Sequence, residues 1–300
     1  MSISLLDFKS RILLSAVLMA TVSGVISEQP LSGDDQTGPG SARLPAYRIE
    51  IEGFETNESD LRPLLDSACR ELWQHFPNYQ IEPMVIVRSH SGPIVLFQRN
   101  GQGELVVKLD AEKTFWAQFS YQFAHEFCHV LCGFTARRSD RHQLWFEETL
   151  CETASLYVLR SMARSWKKTP PFANWSDFRD SLRDYSDQVE KERKAKYDIY
   201  TLGLPAFYNK HKGELEANPT SRDLNGAMSL VLLQLFEEQP SHWESIRWLN
   251  TVPAEKDDTF EVYLRKWHGA VPERHKAFVN RIAALYGIEV QGNSAKTLDR

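Results

Sequence analysis

Between Glu58 and Phe76 the apolar residues Leu61, Leu64, Leu65, Cys69 and Leu72 return every three or four positions, which predicts an amphipathic helix. Ahead of it, Tyr47 to Phe54 alternates like a half-buried strand. Behind it, Met84 to Arg88 and Ile94 to Arg99 read as strands around the turn Ser89 to Pro93, and Glu104 to Leu109 is a further strand after Asn100-Gly101-Gln102-Gly103. A long apolar helix then begins near Glu112, and a second amphipathic helix begins at Leu144, with Phe134 to Arg141 as the loop between them. Beyond Arg164 the spacing predicts helices over Trp175–Tyr197, Asp223–Glu238, His242–Asn250, Thr259–Trp267 and Glu273–Tyr286, punctuated by prolines. The expected class is α+β: a small mixed or antiparallel sheet with one long helix over residues 46–141, a mostly helical subdomain over 142–290, and a tail over 291–300.

The first residues depart from this pattern. Lys9 and Arg11 precede the apolar run Ile12 to Ile26, with Val25 and Ser27 at the −3 and −1 positions of a cleavage site. Residues 1–27 therefore read as a signal peptide and the polar, Gly- and Pro-containing residues 28–45 as a flexible linker. The protein is expected to be exported, periplasmic or secreted, touching a membrane only through this segment; an uncleaved signal acting as an anchor is the alternative. Composition adds little: 42% hydrophobic and 25% charged residues describe an ordinary globular chain, and a net charge of −5 gives no basis for a nucleic-acid surface. The one basic run, Lys191 to Lys196, reads as an exposed helix face.

Chemistry concentrates in His125-Glu126-Phe127-Cys128-His129. Side chains four apart on a helix share a face, so His125 and His129 can offer two imidazole nitrogens to one metal ion, with Glu126 beside the position left for water. The stretch Phe119 to Phe134 is uncharged apart from Glu126 and the histidines. A carboxylate buried there without a counter-ion is costly, and a metal supplies one. A catalytic zinc takes a third protein ligand, and after a gap of eighteen residues from His129 comes Glu148. Glu147 is the neighbouring alternative.

This spacing, HExxH followed by eighteen residues and Glu, resembles the gluzincin metallopeptidases. The Trp145-Phe146-Glu147-Glu148 context is most similar to the M1 aminopeptidases, and the likeness covers about Phe115 to Leu159. It implies a zincin-like catalytic domain with one zinc per chain, held by His125, His129 and Glu148, with Glu126 as general base. It also implies that Glu152, four residues after the third ligand, accepts the second ring proton of His125 or His129. In such a fold the strand before the histidine helix is a sheet edge, which makes Glu104 to Leu109 the expected wall for an extended peptide. The expected partner is a peptide or protein substrate.

Peptidases of this kind steady the tetrahedral oxyanion with a Tyr or His. Asp223-Leu224-Asn225-Gly226-Ala227 resembles the Tyr-x-Lys-Gly-Ala stretch of the M1 enzymes, but Asp223 stands in the place of the tyrosine. Tyr208 is the leading substitute, ahead of Tyr200 and His211. Endopeptidase and aminopeptidase both remain open, as does a catalytically inactive zincin-like domain that binds peptide or protein partners. The cysteines Cys69, Cys128, Cys132 and Cys151 all fall on predicted helices; either a disulfide to Cys151 or burial as small apolar side chains fits them, and none is assigned to the metal.

Overall fold

The computed structural model describes residues 43–133, 143–253, 255 and 257–290. The predicted signal peptide, most of the linker, the Phe134 to Arg141 loop and the tail lie outside the described residues. Four strands and eight main helices follow in the order β1 (Tyr47–Ile49), α1 (Glu58–Trp73), β2 (Met84–Arg88), β3 (Ile94–Val95), β4 (Leu105–Leu109), α2 (Trp116–Leu131), α3 (Leu144–Ser165), α4 (Phe178–Lys196), α5 (Leu204–Ala217), α6 (Arg222–Glu238), α7 (Phe260–Ala270) and α8 (Glu273–Leu285). A single helical turn, Ile199–Leu202, precedes α5, and 3-10 segments cover Ala173–Trp175 and Pro240–Trp248. The fold is α+β, mostly helical with a small mixed sheet.

Strand order in the sheet is β1-β2-β4-β3. β1, β2 and β4 run parallel, with Met84 opposite Tyr47 and Leu105 opposite Met84, whereas β3 pairs antiparallel with β4. This corrects the expected substrate wall. β4 is an inner strand, because the turn Asn100–Gly103 folds β3 back along its free side. The sheet edge next to the histidine helix is therefore β3, where Ile94 is 49% exposed.

Two strands are shorter than the alternation suggested. β1 stops at Ile49 because the chain turns, with the Phe54 N–H donating to the Ile51 carbonyl and Gly53 at φ 83°, in the left-handed region that suits glycine. β3 ends at Val95, although the Leu96 N–H still donates to the Val106 carbonyl. One helix escaped the pattern altogether. α5 carries Pro205 in its first turn, where the missing N–H breaks no intrahelical bond, so a residue that read as punctuation is a helix start.

α2 and α3 are the centre of the molecule, and most side chains on both are buried. A helix that is apolar all round needs neighbours on all sides. α2 packs against the sheet, α1 and α3, while α3 also meets α4 and α6. The first turn of α3 is set by an aromatic cluster: Trp145 lies 4.6 Å from Phe260 and 5.3 Å from Tyr208, and Phe146 lies 5.1 Å from Phe260 and 5.9 Å from Trp267, measured between ring centroids. Such pairs contribute about 0.5–1.5 kcal/mol each beyond burial. They fix the rotation of α3 at the residues immediately before Glu147 and Glu148.

The segment just after α1 is tied to α3 by a hydrogen bond between His75 Nε2 and the Tyr157 hydroxyl, 2.9 Å apart. Burial holds the His75 pKa down at about 4. Unfolded histidine titrates near ~6.5. The neutral ring is thus favoured by folding, and its contribution to stability is complete above ~6.5 and is lost as pH falls toward the folded value. Melting temperatures measured from pH 8 to pH 5 should fall less steeply for His75→Gln than for the unaltered protein. Parallel curves would contradict this.

Candidate metal centre

His125 and His129 stand one above the other on α2, with ring centroids 5.2 Å apart. Their Nε2 atoms face the same carboxylate: Glu148 on α3 brings one oxygen to 3.2 Å from His125 Nε2 and the other to 3.6 Å from His129 Nε2. The Nδ1 atoms face two different carboxylates. His129 Nδ1 is 2.7 Å from Glu147, and His125 Nδ1 is 3.7 Å from Glu152. Three acidic residues from the first three turns of one helix thus surround two imidazoles of another. Glu148 lies between the rings, while Glu147 and Glu152 take the outer nitrogens.

Glu126 is 4% exposed and accepts a hydrogen bond from the Val95 backbone N–H, which sets the general-base candidate against the edge strand β3. Burial pushes its carboxyl above the usual carboxylate range, only partly offset by the neighbouring histidines. Burial would also raise Glu148 and Glu152, but here opposite charges win. His129 and His125 hold Glu148 below its ordinary value, and Arg193, followed by His125, holds Glu152 at about 2. For His129, burial alone would lower the pKa, yet Glu148, Glu147 and Glu126 raise it to about 10. The carboxylates around His129 thus make the pocket favour positive charge. Two imidazoles and a carboxylate converging in such a pocket could hold a metal ion.

The carboxylates that orient the histidines are themselves held. Glu152 bonds to the Tyr121 hydroxyl on α2 and to Arg193 on α4, whose guanidinium also donates to the Tyr121 oxygen at 2.6 Å and to the Ser229 hydroxyl at 2.8 Å. Arg193 corrects the sequence reading of its basic run as an exposed face, since its side chain is only 11% exposed. The signal was present: Leu182, Ser186, Val189 and Arg193 repeat at helical spacing, so Arg193 ends the buried stripe of α4. Gly226 on α6 makes room for it. A Cβ added there would lie 2.7 Å from Arg193 Nε and 3.1 Å from its Cζ. Gly226→Ala should therefore displace the guanidinium from Glu152 and cost about 1–3 kcal/mol in denaturant unfolding; unchanged stability would show that the cradle is not needed.

Glu147 had been read as a rival ligand; here it pairs with His129 Nδ1 and accepts from the Asn250 amide. No local sequence pattern points to Asn250. Tyr208, the oxyanion candidate, has its ring contacts with Trp145, Phe260 and Tyr286, none of them in the polar cluster, and burial raises its phenol. Tyr200 is 46% exposed and donates to the Leu230 carbonyl, while His211 packs on Phe207 and Tyr197.

All four cysteines are free and buried. Cys128, Cys132 and Cys151 hydrogen-bond among themselves, and burial raises each thiol well above its ordinary value. The sequence reading kept cysteine away from the metal, yet a ring nitrogen of each histidine and the Cys151 sulfur lie within 4.8 Å of one another, and this group could hold a metal ion. No helix among the described residues is long and apolar enough to cross a membrane. Comparison of the chain with protein-family models, curated proteins and solved structures returns no match.

Proposed function

We propose that the chain is an exported, zinc-dependent metallopeptidase of gluzincin type, hydrolysing peptide bonds with Glu126 as general base. One observation carries this reading: both imidazole Nε2 atoms converge on Glu148 while both Nδ1 atoms are turned toward other carboxylates. Ligating histidines are oriented in this way, with the second ring nitrogen donating to an acceptor outside the coordination sphere. We assign His125, His129 and Glu148 as the ligands of one zinc ion. Glu148 is preferred over Cys151 because its two oxygens address the same pair of nitrogens, whereas the fully buried thiol would first have to lose its proton.

Zinc bound there supplies Lewis-acid polarisation of a water and of the scissile carbonyl. Glu126 takes the proton of the attacking water and delivers it to the leaving amine nitrogen, first as base and then as acid. Its raised proton affinity suits a group that must take up a proton, and the Val95 N–H holds the carboxylate in one orientation. An extended peptide laid along the exposed β3 edge, where Glu126 already takes the Val95 N–H, would pass directly beside that carboxylate. The zincin-like architecture is supported by a parallel sheet closed by one antiparallel edge strand against the histidine helix.

The engagement of Tyr208 in aromatic packing favours a second reading, a zinc-bearing domain that binds peptide without cleaving it. Metal analysis followed by incubation with a peptide library decides between them. One zinc per chain, with cleavage abolished by chelator and restored by zinc, is expected, and the position of the cuts reports terminal or internal hydrolysis. Zinc without cleavage selects the binding domain. A chain that takes up no zinc overturns both.

A further inference from the structure

The structure assigns Asn250 as a positioning residue that fixes the ring of His129 for metal binding, an inference that rests on the zinc reading above. Asn250 follows the 3-10 segment Pro240–Trp248 and is 5% exposed. Its amide nitrogen lies 2.8 Å from the Cys132 carbonyl and 2.7 Å from a Glu147 oxygen, and its amide oxygen accepts from the Tyr263 hydroxyl at 2.9 Å. A carbonyl and a carboxylate can only accept, so the NH2 group must face them and the amide has one possible orientation.

Both ends of this bridge bear on the metal centre. Cys132 caps α2 one turn beyond His129, where Gly133 at φ 80° turns the chain away and leaves helix-end carbonyls to be satisfied from outside. Glu147, held through one oxygen by Asn250, presents the other to His129 Nδ1 at 2.7 Å. A ring that offers its Nε2 lone pair to a metal carries its proton on Nδ1, and Glu147 is placed to accept that proton while Nε2 points toward Glu148. Asn250 thus joins the end of the helix that carries the histidines to the carboxylate that sets the tautomer of one of them. Tyr263 completes the chain, since its hydroxyl occupies the amide oxygen.

The test is zinc affinity, measured by competition with a chelator of known strength, in Asn250→Ala and in Tyr263→Phe, which keeps its ring. Loss of a partner outside the coordination sphere typically weakens metal binding about 10–100-fold, and that range is expected for Asn250→Ala, with a smaller, severalfold loss for Tyr263→Phe. A role limited to capping α2 would lower the melting temperatures of the metal-free and zinc-loaded forms equally, leaving zinc affinity unchanged. Positioning instead shrinks the melting-temperature rise that zinc produces and shifts the visible absorption of the cobalt-substituted protein. Unchanged affinity and cobalt spectrum in Asn250→Ala overturn the inference; should that variant not fold, unchanged affinity in Tyr263→Phe does so. Failure of the unaltered protein to bind zinc removes the parent reading, and this inference with it, before any variant is compared.

Discussion

Glu126→Gln should keep its zinc and lose peptide hydrolysis by about 10²–10⁴-fold, the usual contribution of a positioned general base. The substitution keeps size and shape, and glutamine can still accept from the Val95 N–H. It changes neither the two Nε2 atoms nor Glu148. What it removes is the only carboxylate of the four that neither lies between the histidine rings nor faces an outer ring nitrogen. The fold should not suffer, because burial already disfavours the charge on Glu126. Zinc content, melting temperature and turnover measured on one preparation check all three statements. Turnover close to that of the unaltered protein would remove Glu126 from the mechanism; loss of zinc would mean that it helps to hold the metal.

Arg193→Met is expected to cost about 3–5 kcal/mol of folding stability, the penalty for leaving one member of a buried ion pair without its partner. Glu152 sits in the interior and its low pKa comes first from Arg193, so without the guanidinium it must stay charged and poorly compensated or take up a proton. Either outcome weakens its hold on His125 Nδ1, and zinc affinity should fall alongside stability. A companion variant separates the two effects. Arg193→Met combined with Glu152→Gln removes both charges and should recover much of the lost stability without recovering the affinity, since replacing a buried pair is far less damaging than breaking one. Denaturant unfolding and chelator competition on the single and double variants provide the readout. A single variant that loses less than about 1 kcal/mol would show that Tyr121 alone satisfies Glu152.

What could be read from the sequence follows from how far each contact reaches along the chain. His125 and His129 were legible because helical periodicity alone places them together. Glu148 was reachable only through the spacing of a known group. Of the groups that hold these residues, Glu152 came through the same resemblance, but Asn250 was not legible: it is 118 residues from Cys132 and 103 from Glu147, and no local pattern encodes a contact of that span. Arg193 was hidden for a different reason, since its charged neighbours on α4 face solvent while it ends the buried stripe. The strands were found with correct type but loose ends. The role of β4 as a wall was misjudged because neighbours in sequence need not be neighbours in space: β2 and β4 lie side by side, and β3, between them in the chain, folds to the outside.

The long reach of Asn250 also bears on when the pocket can be completed during synthesis. A ribosome that has released residues up to the end of α3 has already exposed both histidines and all four acidic groups, yet Arg193, Gly226 and Asn250 are still to come. His125 gains its outer support as α4 and α6 dock, and His129 only after the chain has passed residue 250. An emerging polypeptide therefore carries its candidate ligand side chains for much of translation without the scaffold that aims them.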